Sequence, residues 1–266
     1  MSVTSIVRKD LADAGRSKML WAVVILVVLP TAGATGLLAV STDEAAPKVF
    51  TLAFQLGIAT LPIVALLLAK GAITGERDSG SLRLLLGLPP ARRDVLLGKL
   101  VGRTVLMLIA TLMGGLVTAL VVVALLGSGV TLVMPFVGLL GLMGLAFVGL
   151  GIGISAASAS DTRATVVAVG AYMLLVALWN LLYSGIQRAA AAVGLADGAA
   201  QPGWLDLVGI VPPNRAAAVA FDAIVSGRTF VVDPIGSLWL PVVIMIAWLI
   251  IPAAVGYRQF RAADLG

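Results

Sequence analysis

The chain has 266 residues, 60% of them hydrophobic and 12% charged, with a mean hydropathy of +1.10 and a formal charge of +5. No soluble core absorbs that much apolar surface, so the composition places the chain in a lipid bilayer. The absence of Cys and His excludes disulfides, thiolate chemistry, haem ligation through His and the usual zinc and copper sites.

In chain order, Val3, Ile6, Val7, Leu11 and Ala14 recur at helical spacing, with Arg8, Lys9, Asp13 and Arg16 largely off that stripe. Two readings fit: a short helix lying in the membrane interface, or a plain basic tail that sets topology. Crossing roughly 30 Å of hydrocarbon takes about 20 apolar residues. Six runs qualify: Met19 to Val40, Val49 to Ala69, Thr104 to Gly127, Thr131 to Ala157, Ala164 to Ser184 and Leu238 to Gly256. The predicted fold is an all-α integral membrane protein with six transmembrane helices. Pro30, Pro62, Pro241 and Pro252 fall in or near these runs, where lipid-embedded helices tolerate kinks. The "TAGA" of Thr31 to Ala34 resembles a signal-peptide cleavage site, but the apolar run continues past it to Val40.

With six spans, fourteen of the 18 Lys and Arg residues fall on one face and Lys48, Arg188, Arg215 and Arg228 on the other. Basic residues are retained on the cytoplasmic side, which predicts both termini inside. None of the six runs contains Asp, Glu, Lys or Arg. Proton-driven carriers use intramembrane ionisable relays, so that class is disfavoured, although ion coupling through backbone carbonyls and hydroxyls stays open. Missing His, Cys and intramembrane carboxylates also remove most metal and aspartyl hydrolase mechanisms; spacing alone leaves a Ser/Lys pair open.

The fourth run carries Gly141, Gly149 and Gly153 with Ser155. Small residues four apart let another helix approach closely, so these glycines are predicted packing positions. Gly149, Gly151 and Gly153 superficially match a dinucleotide-binding loop, but that motif needs a preceding strand and a water-exposed helix start. "DVLLGKL" is no phosphate-binding loop either: Arg93 stands five before Gly98, and Leu100 follows Lys99.

Between the second and third runs, "GERDSGSLRLLLGLPPARRDVLLGKLVGR" places six positive charges in 29 residues, Gly75 to Arg103. Ser79 or Ser81 is suited to cap a short helix in which Leu82, Leu85 and Leu86 share a face; Gly87, Pro89 and Pro90 end it. A second piece restarts after Pro90 and leads into the third span. Burying a leucine is worth about 1.5–3 kcal/mol, so Leu82, Leu84, Leu85, Leu86 and Leu88 belong in the membrane interface or against another protein. Arg77, Arg83, Arg92 and Arg93 suit carboxylates or lipid phosphates. The residues alone leave open a topogenic loop and a partner-docking knob.

The same run resembles the signature of ABC-2 type permeases, the membrane subunits of ABC exporters, at Glu76, Gly80, Leu82, Pro89, Arg92, Gly98 and Lys99. Ala91 departs from it, since a Ser often precedes the Arg. The layout is similar too, and within the class the chain most resembles the short permeases that include those serving nitrous oxide reductase maturation. The resemblance implies an interfacial helix over residues 1–18 and a six-helix domain over 19–266, with a coupling loop at 71–103 and an external segment at 185–237. It implies a homodimer whose subunits each dock on a separate ATPase that carries ATP and Mg, with no cofactor on this chain. The coupling surface would comprise Glu76, Arg77, Gly80, Ser81, Leu82, Arg83, Leu85, Leu86, Pro89, Arg92, Arg93 and Lys99. The implied function is a plasma-membrane permease that converts ATP hydrolysis by its partner into alternating access. An ion-coupled transporter and a membrane assembly factor are the alternatives.

In the external segment, "QRAAAAVGL" and "NRAAAVAFDAIVSG" are helical in pattern. The second is expected to be capped by Asn214 and to end near Gly227, with Trp204 and Phe221 as interfacial anchors. Short external helices forming a lid, as the resemblance implies, and an ordinary connector both fit.

Overall fold

The computed structural model describes residues 19–41, 44–78, 92–195, 202–227 and 238–262, together with Thr4, Ser5, Val7, Arg8, Asp10 and Ala12. Every regular element among the described residues is helical. The first span is α1 (Met19–Val28), a wide turn of π type (Leu29–Gly33) and α2 (Ala34–Ser41). Pro30 has no N–H for the regular ladder, and the wider turn absorbs the defect.

The second span, α3 (Ala46–Lys70), opens with Pro47 in its first turn, and the turn 71–73 leads to the short α4 (Thr74–Asp78). Next comes α5 (Arg92–Leu126), 35 residues long. At 1.5 Å per residue it extends about 52 Å, well beyond a hydrocarbon core of roughly 30 Å, so its basic first turns project from the apolar slab. Gly127 and Gly129, with φ of 63° and 88°, make the left-handed reversal into α6 (Val130–Ala157).

The fifth apolar run is predicted as one span from Ala164 to Ser184, and the structure breaks it. Helix α7 (Asp161–Tyr172) passes through a π-type turn (Met173–Ala177) into α8 (Trp179–Ala192) with a bend of 57°. The stretch beyond α8 supplies α9 (Gly203–Ile210) and α10 (Pro213–Val225), set at 110° to each other, and α11 (Trp239–Ala262) follows. Among the described residues five helices, the first of them with its π-type turn, are long and apolar enough to cross a membrane, and the two bent pairs bring the number to seven if each is counted as a span.

Helix α6 is the hub. Its glycines admit neighbours on several sides: a Cβ at Gly144 would meet Met107 of α5, and one at Gly151 would meet Ala69 of α3. The contact registers set helix directions. Phe50 with Phe136 and Ala69 with Gly151 make α3 parallel to α6, whereas Gly115 with Val137 and Met107 with Gly144 make α5 antiparallel to it. Gly149 with Leu249 and Gly153 with Pro252 make α11 parallel to α6. The C-terminal ends of α3, α6 and α11 therefore gather with the N-terminal ends of α5 and α7. This end carries Lys70, Arg77, Arg93, Lys99, Arg103, Arg163, Arg258 and Arg261, and is called the basic end below.

At the opposite end four aromatic rings fill the core. Phe54 stacks on Phe221 with centroids 4.2 Å apart and planes 4° from parallel, and Phe136 meets both edge-on, at 6.0 and 6.1 Å. Phe50 joins through Phe136 at 5.4 Å. Phe221 is only 1% exposed, so it is a core residue rather than the interfacial anchor expected from sequence; Trp204, at 44%, stays on the surface. The α9–α10 corner reaches inward, where the Val211 carbonyl accepts the indole N–H of Trp248 on α11 at 2.7 Å. Asn214 does not cap α10. Pro212 holds the cap position in extended conformation, and Asn214 lies inside the first turn, 5% exposed.

Candidate functional site at the basic end

Two polar joints hold the roots of the loop between α4 and α5. The first forms where α3 ends. Lys70 donates to Asp161 Oδ2 at 2.6 Å and to Thr165 Oγ1 at 2.7 Å, and Thr74 Oγ1 donates to Asp161 Oδ1 at 3.1 Å. The fully buried Ser155 Oγ accepts the backbone N–H groups of Ile73 and Thr74 at 3.0 and 3.2 Å. The chain leaves the α3 ladder at the turn 71–73, and Ser155 supplies an acceptor to amides that the helix no longer serves. Arg77 Nη1 then donates to the Ser158 carbonyl at 2.7 Å. This joint ties the loop's first root to the turn between α6 and α7, whose start is capped by Ser160.

The second joint faces the other way. Glu76 Oε1 accepts from Lys99 Nζ at 2.7 Å, and Lys99 also donates to Asp10 Oδ1 at 3.1 Å. Arg103 Nη2 reaches the same Asp10 oxygen at 3.1 Å. All four side chains are buried or nearly so, with relative exposures of 3% for Asp10, 9% for Lys99, 15% for Arg103 and 16% for Glu76. Two carboxylates facing two cations leave no net charge in a setting where an unpaired ion is strongly destabilising.

Of the coupling residues read from sequence, Glu76, Arg77 and Lys99 thus have partners within the chain. Arg93 is 71% exposed and lies 3.5 Å from its neighbour Asp94. Gly80, Ser81, Leu82, Arg83, Leu85, Leu86 and Pro89 lie outside the described residues, as do the expected caps Ser79 and Ser81; Arg92 opens α5. Gly149 and Gly153 face α11 so closely that a Cβ would stand 2.5 Å from Leu249 Cα and 2.6 Å from the Pro252 carbonyl carbon. Gly141 differs: a Cβ there would make only ordinary contact with Leu108 at 3.7 Å. Ser155, read as a small packing residue, is a hydrogen-bond acceptor instead.

Sequence reasoning missed Asp10, Lys70, Thr74 and Asp161. Lys70 and Asp161 terminate apolar runs, which is a usable signal; their partnership across 91 positions is not. Also missed is a polar seam within the membrane slab. Thr31 and Thr118 share a hydrogen bond of 2.8 Å between α5 and the π-type turn of the first span; with one proton each, one hydroxyl donates across and the other to a carbonyl of its own helix, Val27 for Thr31 or Gly114 for Thr118. Beside the joints, a groove of about 320 Å³ opens among α6, α7 and α11, with Ser158, Arg163 and Gln259 on an otherwise apolar wall.

Apolar helices of spanning length around a Gly-rich hub, with their cations gathered at one end, define a multi-pass helical membrane protein. The family model described as "ABC-2 family transporter protein" matches residues 4–265, and the chain belongs to that family. It is 31% identical over 188 residues to the probable ABC transporter permease protein NosY of Pseudomonas aeruginosa, covering 67% of this chain and 68% of the relative. The protein of the same name from Stutzerimonas stutzeri is 37% identical over 138 residues, half of each chain. The class is that of the permease subunit of an ABC transporter.

Proposed function

We propose that this permease lines the substrate pathway of an exporter, docks a separate ATPase through the loop at 71–103, and alternates access as that ATPase binds and hydrolyses ATP. The observation that carries the reading is the division of labour between two consecutive residues. Glu76 is bonded toward α5 and the N-terminal segment, and Arg77 toward the α6–α7 turn. A push on the loop that follows them is delivered to both halves of the bundle at once. In this reading Ser81 to Leu86 form the coupling helix, with Leu82, Leu85 and Leu86 entering a groove on the ATPase. Arg83, Arg92 and Arg93 offer cations to its carboxylates. ATP and Mg belong to the partner, because the chain has no phosphate-binding loop of its own. The basic end faces the cytoplasm of a plasma membrane, with both termini inside, following the fourteen-to-four division of cations. A second copy completes the pathway.

The test is affinity copurification from native membranes in mild detergent, with mass spectrometry of what stays bound. The expected result is a stoichiometric soluble ATPase subunit that is lost in Leu85→Asp or Leu86→Asp while membrane insertion is unchanged. Retention of the ATPase by both variants would reject the coupling assignment.

A further inference from the structure

Buried charge is expensive, so a four-membered ion cluster joining three stretches of chain calls for a reason beyond stability. Asp10 belongs to the N-terminal segment, Glu76 to the first root of the loop, and Lys99 and Arg103 to the second. Lys99 is the shared node, since one ammonium serves both carboxylates. The helix surface is shaped for the contact as well: a Cβ at Gly102 would stand 2.6 Å from Asp10 Oδ2 and 3.1 Å from Asp10 Cβ. Only a glycine on that turn of α5 lets the aspartate seat against the helix.

We propose that Asp10, Lys99, Arg103 and Glu76 form a charge-balanced latch that makes the N-terminal segment a moving part of the coupling apparatus, carried with the loop roots rather than merely resting at the membrane surface. That motion rests on the coupling reading above; the latch itself does not. The four side chains have a definite wiring. Neutralising Asp10 frees the segment but leaves Lys99 on Glu76. Neutralising Glu76 loosens the loop root from α5, although Ser155 and the Ser158 carbonyl still hold its other side, and leaves Asp10 on Lys99 and Arg103. Removing the Lys99 ammonium weakens both attachments.

Hydrogen–deuterium exchange of the full chain in detergent, read by mass spectrometry at residues 4–12 and 74–78, tests this wiring. Lys99→Met is expected to speed exchange at both segments by about tenfold or more. Asp10→Asn speeds the first segment only, and Glu76→Gln the second only. Gly102→Ala, which keeps every charge but displaces Asp10, acts like Asp10→Asn. Should Lys99→Met fail to fold, the other three decide. Wild-type exchange at 4–12 in Gly102→Ala and Asp10→Asn, or equal acceleration of both segments by every variant, would overturn the latch.

The moving-part role is read in the complex with the ATPase, trapped with ATP and vanadate. Trapping is expected to change exchange at residues 4–12 in the wild type. In Asp10→Asn that response is lost while the 74–78 response persists. A wild-type segment indifferent to trapping would contradict the role. A chain that shows the wiring yet copurifies with no ATPase would keep the latch and reject the coupling reading.

Discussion

Gly149 lies so close to Leu249 that a Cβ on the glycine would stand 2.5 Å from the leucine's Cα. Helices α6 and α11 therefore meet backbone to backbone, and no side-chain rotation relieves an added methyl group. In lipid, where apolar burial between helices gains little over contact with acyl chains, such close packing supplies much of the association energy. Gly149→Ala and Gly153→Ala are expected to destabilise the fold by at least the ~1–3 kcal/mol typical of overpacking. Gly170 is also helical but has nothing within 4 Å of its Cβ position. Gly170→Ala is expected to be neutral or to stabilise by up to ~1 kcal/mol, the propensity difference. Thermal unfolding of the three variants in one detergent checks the contrast.

The aromatic core makes α10 part of the bundle. Phe221 is 1% exposed and stacked on Phe54. Phe221→Ala is expected to cost about 3–5 kcal/mol from the lost ring and its cavity. A double-mutant cycle of Phe54→Leu and Phe221→Leu should give a coupling of about 0.5–1.5 kcal/mol. A coupling near zero would mean that the rings contribute by volume alone.

At the first joint, two effects of different size can be ranked. Asp161 and Lys70 are 37% and 18% exposed, so their ion pair is screened, and Asp161→Asn should cost no more than about 1 kcal/mol. Ser155 is fully buried and accepts two backbone N–H groups. Ser155→Ala strands both, at about 1–3 kcal/mol each. Urea or thermal titration should therefore place Ser155→Ala below Asp161→Asn in stability, despite the loss of formal charge in the latter.

The Thr31–Thr118 hydrogen bond lies inside the slab, where both hydroxyls also have carbonyls of their own helices in reach. Those local acceptors limit what the interhelical bond adds, so Thr31→Val or Thr118→Val is expected to cost about 0.6 kcal/mol and not above ~2. A larger loss would show that the seam governs the π-type turn beside Pro30.

Much of this fold is legible in the sequence because the bilayer imposes it. Apolar length reports the spans, and the gathering of cations reports the basic end. The Gly149 and Gly153 contact follows from small-residue spacing, whereas Gly141 shares the spacing but faces a looser neighbour. What hydropathy cannot show is a bend without a change of polarity. The π-type turn at Met173–Ala177 sits within the uncharged run that begins at Ala164 and extends to Ser184. Helix α10 likewise is Ala-rich with Asn214, Arg215 and Asp222 interspersed, a pattern that fits either a surface helix or one packed at its small face. Charge density marks the basic loop but not Asp10, because an acid in a basic segment reads as solvated until its partners, some 90 residues away, are placed beside it.

The proposed coupling requires that the loop between α4 and α5 meet an ATPase. The chain has no Cys, so a single cysteine at position 82, 85 or 86 can carry a photo-crosslinker without background. In native membranes crosslinking is expected from these three positions to one soluble ATPase subunit, and none from a cysteine replacing the exposed Trp21 on the first span. Adducts only with lipid, at all four positions alike, would contradict it.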